Sequence, residues 1–343
     1  MRPRSARSPS RQRPRSSPQQ LPNRTELASQ REVFAEQAEH CAVSSPLYAE
    51  LCRRFADDPV VGEIIGPEPS WDMPLRLLGG LHYLVLGGEA SWDDPLDVHR
   101  EFLSEFVREQ GVQTNEVQRA WVLTPLFLRV AERTGAASFD LIELGASAGL
   151  LLGWDRYRSV YEQGEWGPEG SPLTLSGTER SPVRGDLFER APKVGRRVGV
   201  DLAPIDVTSD EAARLLKCFV WAGQQQRLER LDQAIAAVRE EPPVLVQADY
   251  VEVLPELLSG RDPDGLTVVL ASATLRYLGD DGVARIRFAF DAAGPGGPIA
   301  FVATGSPRRG VRQWGLRIVY YPGAEREYAG EADYHATWLD WQL

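Results

Sequence analysis

The sequence predicts an α/β protein in which a helical N-terminal region precedes a mostly parallel sheet. From residue 138 onward, short apolar runs alternate with helical patterns, which is typical of strands joined by crossover helices. Residues 29–135 show apolar side chains at helical spacing only. The last two β-rich segments flank Pro322-Gly323, which predicts a C-terminal antiparallel hairpin.

The first 28 residues predict a disordered basic tail. They are rich in Pro, Ser and Arg and hold too little apolar surface to offset the entropy of ordering. The first 25 residues contain seven arginines and no acid, so the rest of the chain has 49 acids against 31 bases. We expect no nucleic-acid partner for this acidic body, because phosphate binding needs a basic surface. Only the basic tail has the charge to bind nucleic acid.

Residues 29–135 predict a series of helices that would form a lid or a wall of a substrate site. Ser45-Pro46 is a good helix start, with Pro in the first turn. Thr114-Asn115 is a good N-cap pair for the last helix of the series. The predicted helices cover residues 33–41, 47–55, 74–88, 97–110 and 114–133.

Residues 136–343 predict the α/β domain. A helix is expected over 150–161, directly after the first strand. Residues 164–195 are rich in Gly, Pro and Ser and predict an insertion that holds a hairpin at most. The predicted strands of the sheet cover residues 138–144, 196–201, 243–249, 266–273 and 298–305.

Cysteine usage and hydropathy limit the class of protein further. The three cysteines, Cys41, Cys52 and Cys218, form no C-x-x-C pattern, so we expect neither a disulfide framework nor a metal site. This usage is typical of a reducing cytoplasm. No apolar run approaches the roughly 18 residues of a membrane-spanning helix, so we expect no membrane partner.

A run of small residues follows the first predicted strand. Residues 143–149 read E-L-G-A-S-A-G and join that strand to the next predicted helix. Small residues let backbone approach a ligand closely, and a helix N-terminus offers free N–H groups. Ligands of open α/β sheets bind outside the carboxyl ends of the strands. The turn therefore predicts a site for a nucleotide-like cofactor.

The same turn has two other interpretations. Residues 145–149 also read G-x-S-x-G, the nucleophile elbow of α/β-hydrolases, with Ser147 as the nucleophile. Asp249 would be one candidate acid, and His335 is the only histidine after Ser147. The helical upstream region and the lack of an HGGG-type segment speak against this interpretation. The turn can also simply pack a helix against a strand.

Acids follow the next two strands of the predicted sheet. Asp201 ends the second strand, where a carboxylate can accept hydrogen bonds from both hydroxyls of a ribose. Asp249 follows the third strand, where it can meet the exocyclic amine of an adenine. A Gly-Pro-Gly-Gly turn at 294–297 precedes the fifth strand.

In this order, these features resemble the class I S-adenosylmethionine-dependent methyltransferases. The resemblance implies a Rossmann-like fold and S-adenosylmethionine as the cofactor. It assigns the adenine to Asp249, the ribose to Asp201 and a cofactor contact to Glu143. Asp201 lies 58 residues after Glu143, so the segment 164–195 would be an insertion. The residues that would hold the methionine part are Gly145, Ala146, Ser147 and Gly149.

A closer resemblance rests on several unusual sequence blocks. They include GVQTNEVQR, IELGASAGL, GVDLAPIDVTSDE, WAGQQQRLERL and ADYHATWLDW. Together they resemble the bacterial, mostly actinobacterial, domain of unknown function family 2332, over roughly residues 32–343. This resemblance implies a methyltransferase-like fold behind an N-terminal helical region, and it implies no particular activity.

Further polar residues are candidates for a substrate site. In one interpretation, Thr114 or Asn115 caps a helix and Arg119 pairs with Glu116 in its first turn. In the other, Asn115 and Glu116 face the cofactor from the helical region. Arg156 and Tyr157 follow the Gly-rich turn closely and would line a substrate cleft.

Two more candidates lie later in the chain. Arg227 can bind a substrate carboxylate or phosphate bidentately, or form a salt bridge. His335 can serve as a general base or as a structural histidine. The sequence thus favours an S-adenosylmethionine-dependent methyltransferase of a small molecule. The alternatives are a non-catalytic binding protein on the same fold and a serine hydrolase that uses Ser147.

Overall fold

The computed structural model of the protein describes residues 29–113, 115–305 and 313–343. The predicted tail, 1–28, and the predicted cap residue Thr114 lie outside these residues. Within the described part, no helix combines the length and the apolar character that crossing a membrane requires.

The helices of the N-terminal part enclose a core of their own. The Ser45 hydroxyl accepts the backbone N–H of Tyr48, which confirms the predicted helix start at Ser45-Pro46. Ser45 also donates to the carbonyl of Ala222 at 2.6 Å, so this core closes against a later part of the chain. The α-helices described here are α1 (Gln30–Cys41), α2 (Pro46–Phe55), α3 (Pro59–Ile65), α4 (Met73–Leu86) and α5 (Arg100–Glu109).

The next helix, α6 (Arg119–Thr134), packs on the sheet that follows it, in the largest apolar cluster of the described residues. The N-cap predicted at Thr114-Asn115 is wrong for Asn115, because α6 begins at Arg119. The Asn115 amide donates instead to the hydroxyl of Ser147, at 3.0 Å. This contact holds the segment before α6 against the turn after the first strand.

Strand β1 (Ser138–Leu144) is as predicted, but the helix expected over 150–161 is wrong beyond its first turns. A short 3₁₀-helix covers Leu150–Arg156, and Gly153 inside it has non-helical backbone angles. Tyr157 is extended, and the chain continues as strand β2 (Arg158–Tyr161). Gly153 weakens the helix because glycine has the largest conformational entropy to lose.

The insertion contains more than the predicted hairpin. β2 pairs antiparallel with β3 (Gly164–Trp166) and parallel with β4 (Thr174–Ser176). β5 (Thr178–Ser181) is not part of this small sheet and pairs with the last strand of the chain. That pairing joins residues about 160 positions apart, for example Thr178 with Trp338, so no local pattern predicts it.

The remaining elements alternate as the sequence predicts. Helices follow strands until β9, and the last strands form the predicted antiparallel hairpin, which is confirmed. The elements are β6 (Lys193–Asp201), α7 (Asp210–Lys217), α8 (Gln225–Glu240), β7 (Val244–Gln247), α9 (Tyr250–Ser259), β8 (Leu266–Ser272), α10 (Asp280–Ala293), β9 (Ile299–Thr304), β10 (Gln313–Tyr321), β11 (Glu325–Asp333) and β12 (Trp338–Trp341).

The described strands build a nine-stranded sheet in the order β5-β12-β11-β10-β9-β8-β1-β6-β7. The α/β class is confirmed, but the sheet is mixed, because β7, β6, β1, β8 and β9 are parallel and β10–β12 run antiparallel. β6 and β7 lie on one side of β1, and β8 and β9 lie on the other. The strand order therefore reverses beside β1, which is where open α/β sheets bind ligands.

Both faces of the sheet are covered. α6 and α8 pack on one face, and α9 and α10 pack on the other. β8 and β9 are buried along their whole length, as expected for parallel strands between two helical layers.

Candidate functional site

The loop after β1 is anchored to the neighbouring strand. The backbone N–H groups of Gly145 and Ala146 both donate to the carbonyl of Val200, at 2.8 and 3.1 Å. Gly145, Ser147 and Gly149 have positive φ angles of 75°, 49° and 69°. The loop therefore coils tightly at the carboxyl end of β1, where the strand order reverses.

The two glycines of this loop are explained by the fold itself. A Cβ atom on Gly145 would lie 2.2 Å from the Cγ2 atom of Thr274, and one on Gly149 would lie 2.8 Å from the Cγ atom of Pro243. Protein atoms thus fill the space that a side chain would need. The glycines are required by the turn and by close packing, and they are not by themselves evidence for a ligand.

The Ser147 side chain is held by two amides. Its hydroxyl donates to the Gln113 Oε1 atom at 2.7 Å and accepts from the Asn115 Nδ2 atom at 3.0 Å. A nucleophilic serine needs a base that takes its proton, and an amide oxygen is not such a base. No histidine of the described residues forms a hydrogen bond with Ser147. This arrangement does not favour the hydrolase alternative.

The carboxylates predicted at the ends of β1 and β6 lie together. Glu143 is 3% exposed, and its Oε2 atom has no hydrogen-bond partner among the described residues. Burial and the nearby charge of Asp201 raise the pKa of Glu143 well above its ordinary value. Asp201 accepts the backbone N–H groups of Ser147, at 2.8 Å, and Ala203, at 2.9 Å. Each Asp201 oxygen keeps a further lone pair for a ligand.

Asp249 lies after the next strand and has a structural role of its own. It is the N-cap of α9 and accepts the backbone N–H of Val251 at 2.8 Å. Its side chain remains exposed at the same edge of the sheet. The three predicted acids therefore lie at the carboxyl ends of β1, β6 and β7, which are neighbours in the sheet.

Three further candidates meet beside this edge. The buried carboxylate of Glu116 lies 3.0 Å from the Arg227 guanidinium and 2.8 Å from the His335 Nδ1 atom. Burial raises the pKa of Glu116, but the hydrogen bond from His335 and the charge of Arg227 outweigh burial and hold it below its ordinary value. The structure thus brings Glu116, Arg227 and His335 into one cluster.

Arg156 and Tyr157 do not join this cluster. Arg156 donates to the Ala237 and Glu241 carbonyls at the C-terminal end of α8 and pairs with the Glu241 carboxylate at 2.6 Å. Tyr157 is fully buried, and its hydroxyl donates to the carbonyl of Leu150 at 2.7 Å. The polar groups of both side chains thus bind other parts of the fold.

Sequence reasoning missed Gln113 and Arg119 as members of the site. The Arg119 guanidinium packs against the rings of Trp314 and Tyr334, 4.6 Å from each ring centre, and its Nε atom donates to the Tyr334 carbonyl. The available signal was the density of polar side chains between residues 113 and 119, directly before a buried helix.

Comparison with known proteins identifies the family. Residues 31–341 match a family described as "uncharacterized protein conserved in bacteria (DUF2332)". The chain belongs to this family. No curated protein matches the chain. The match spans nearly all of the described residues, so in this DUF2332 protein the loop after β1, the paired acids and the Glu116 cluster all fall within the family region.

Proposed function

We propose that this DUF2332 protein binds S-adenosylmethionine and transfers its methyl group to a small molecule. The observation that carries the proposal is the buried Glu143 carboxylate, which has an unpartnered oxygen and lies near Asp201 where the strand order reverses. A buried acid without a partner is costly. A ligand that brings hydroxyl groups and a positive charge would satisfy both carboxylates, and S-adenosylmethionine carries both.

The arrangement of the strand ends supports the same ligand. Asp201 would accept hydrogen bonds from the ribose hydroxyls with its remaining lone pairs. Leu202, which follows it, is 62% exposed and offers an apolar surface to the adenine ring. Asp249 lies one strand further and would accept from the adenine amine. The mostly parallel order of β7, β6, β1, β8 and β9, followed by an antiparallel hairpin, agrees with the resemblance to class I methyltransferases.

The cofactor would supply a methyl group on a sulfonium, ready for in-line attack. The chain itself would bind and orient the acceptor, which is the main contribution that such a transfer needs. Glu116 holds the His335 Nδ1 atom, and this contact leaves the Nε2 atom of a half-exposed ring to take a proton from the acceptor.

Calorimetric titration of the full chain with S-adenosylmethionine and S-adenosylhomocysteine tests the proposal. We expect binding to both, and about a tenfold or larger loss of affinity in Asp201→Asn. The matched control is Asp262→Asn, because exposed Asp262 also accepts the backbone N–H two residues on but lies before β8, at the opposite edge of the sheet. No binding at millimolar cofactor, or equal loss in both variants, would reject the proposal.

A second experiment separates transfer from binding alone. Cofactor labelled in its methyl group is incubated with the protein and a pool of small bacterial metabolites, and label in any product is counted. Transfer that depends on Asp201 supports the enzyme. Tight binding without transfer to any metabolite favours the non-catalytic binding protein instead.

A further inference from the structure

A cluster of arginines lies beside the proposed cofactor site. It consists of Arg119 at the start of α6 and of Arg227 and Arg230 in the first turns of α8, and we call it the arginine cluster. Arg227 contacts the buried Glu116 carboxylate, and the charges of Arg119 and Arg230 act on the same carboxylate. The charge of Arg119 also acts on the buried Glu143, but among the described residues the arginine cluster forms a single ion pair, between Arg227 and Glu116.

Arg119 is the most buried member of the arginine cluster. Its exposed fraction is 7%, and its Nη2 atom is buried with no hydrogen-bond partner among the described residues. Within residues 29–113, 115–305 and 313–343, no carboxylate oxygen lies within 4 Å of the Arg119 guanidinium. The rings of Trp314 and Tyr334 fix its plane. Arg119 is therefore a buried donor that is held by two aromatic rings and has no carboxylate in direct contact among the described residues.

Arg230 also has a buried nitrogen without a hydrogen-bond partner among the described residues. Its Nε atom is buried without a partner in the described structure, and its Nη1 atom reaches only the neutral Gln118 side chain, at 3.2 Å. Burial lowers the pKa of Arg230; the charge of Glu116 offsets part of this effect, and the charge of Arg227 adds to it. The environment of Arg230 thus disfavours its charge even beside Glu116, and a further anion would stabilise it.

The excess positive charge is unusual in this protein. The body outside the first 25 residues has 49 acids against 31 bases, yet Glu116 is the acid in contact with the arginine cluster. Asp333 lines a small cavity together with Arg119, but its oxygens accept backbone N–H groups of residues 335, 337 and 338. Buried charges are costly unless they are paired, so an arginine cluster of this kind fits an anionic ligand.

We propose that the arginine cluster is an oxyanion site that binds a carboxylate or phosphate group of the methyl-accepting substrate. The inference rests on the proposed function, which it extends by naming the substrate class. Guanidinium groups bind such oxyanions through charge-assisted and often bidentate hydrogen bonds.

The position of Arg119 in the arginine cluster favours the substrate over the cofactor as the source of the oxyanion. The acids proposed for ribose and adenine follow β6 and β7, on one side of β1. Arg119 packs on Trp314 of β10 and lines its cavity with Thr304 at the end of β9, on the other side of β1. An acceptor placed beyond the methyl group would reach this side.

Titration of the full chain with inorganic phosphate, and separately with benzoate, tests the site without any cofactor. We expect at least one of the two to bind, and Arg230→Gln to weaken that binding about tenfold or more. Arg119→Gln should do the same, with circular dichroism to check folding, because Arg119 is buried. The matched control, Arg285→Gln, removes an exposed ion pair with Glu252 on the opposite face of the sheet. Equal affinities in Arg230→Gln and Arg285→Gln, or no binding of either anion, would overturn the proposal.

Two cofactor analogues identify the source of the oxyanion. S-adenosylhomocysteine carries a carboxylate, and 5′-methylthioadenosine lacks it. We expect Arg230→Gln to bind both as the wild type does. Weaker binding of S-adenosylhomocysteine alone would assign the arginine cluster to the cofactor and overturn the substrate assignment. If neither analogue binds the wild type while the anions bind and Arg230→Gln does not bind them, the methyltransferase fails and the oxyanion site stands.

Discussion

The Asp201 carboxylate accepts the backbone N–H of Ser147 at 2.8 Å, across 54 residues of sequence. The contact ties the end of β6 to the loop after β1 and spans the whole insertion. β1 and β6 pair parallel, and Leu144 lies opposite Val200 near their carboxyl ends. The long sequence separation between Glu143 and Asp201 is therefore short in space, and the insertion leaves the edge of the sheet intact.

Ser147 combines a left-handed backbone with two side-chain hydrogen bonds, and the two can be separated by substitution. Ser147→Ala loses both bonds and keeps the strain of its φ of 49°. Ser147→Gly loses the same bonds but adopts this conformation without strain. In urea denaturation we expect Ser147→Gly to be more stable than Ser147→Ala by about 1 kcal/mol. Equal stabilities would mean that the loop relaxes in the alanine variant.

The contact between Gly145 and Thr274 predicts a steric coupling. A methyl group on Gly145 would meet the Thr274 Cγ2 atom at 2.2 Å, and the φ of Gly145 is 75°. We expect Gly145→Ala to lower the free energy of unfolding by about 2 kcal/mol or more. Thr274→Ser removes the methyl group and keeps the hydroxyl that donates to the Leu144 carbonyl. In that background the same substitution should cost less, and a double-mutant cycle with no coupling would contradict the steric explanation.

Most strands could be predicted from the sequence because their signals are local. The runs that became β1, β6, β7, β8 and β9 are short and apolar, and the hairpin flanks Pro322-Gly323. The pairing of β5 with β12 could not be predicted, because it joins distant segments through backbone hydrogen bonds and leaves no local pattern. The helix expected over 150–161 is a 3₁₀-helix that is interrupted at Gly153 and ends at Arg156, although the side chains around Gly153 favour a continuous helix.

The site was partly predictable for a related reason. The carboxyl ends of parallel strands meet at one edge, so acids at the ends of β1, β6 and β7 had to lie near one another. Arg119 shows the limit of this reasoning. Its nearest acid in sequence, Glu116, suggested a local pair, but its guanidinium packs against the rings of Trp314 and Tyr334, which lie about 200 residues later. Only tertiary packing decides such a contact.

His82 predicts a pH dependence at the junction of the N-terminal helices and the end of α7. It is buried, its Nδ1 atom lies 3.2 Å from the Cys218 carbonyl, and burial lowers its pKa below 6.5. Because the unfolded chain binds the proton more readily, stability should fall as the pH drops from 6.5 toward the lowered pKa. The slope should be at most about 1.4 kcal/mol per pH unit.

Substitution of His82 should remove this part of the pH profile. We expect chemical denaturation of His82→Gln to show a flatter profile between about pH 5 and 6.5 than the wild type. The matched control is His40→Gln, an exposed position on α1, which should keep the wild-type slope. An unchanged slope in His82→Gln would place the pH dependence elsewhere in the protein.

Glu116 partly compensates the positive charge of the arginine cluster in the absence of a ligand. Glu116→Gln keeps the shape of the side chain and leaves Arg227 without its carboxylate, 3.0 Å away in the wild type. We expect a loss of about 3 kcal/mol at neutral pH, because removing one partner leaves a largely buried charge uncompensated. The matched control is Glu241→Gln, whose 81% exposed carboxylate also pairs with an arginine and should cost less than about 1 kcal/mol.

The lowered pKa of Glu116 determines how the difference in stability between the wild type and Glu116→Gln changes with pH. A carboxyl whose pKa is lower in the folded state stabilises the fold above its ordinary pKa of about 4.5, and this stabilisation is lost as the pH falls through the lowered value. The gap between wild type and Glu116→Gln should therefore be full at pH 7 and narrow below about pH 4.5. The same substitution removes a negative charge from the arginine cluster, so phosphate should bind Glu116→Gln more tightly than the wild type. Weaker phosphate binding in this variant would mean that Glu116 positions the arginines for the anion, because its charge alone can only oppose anion binding.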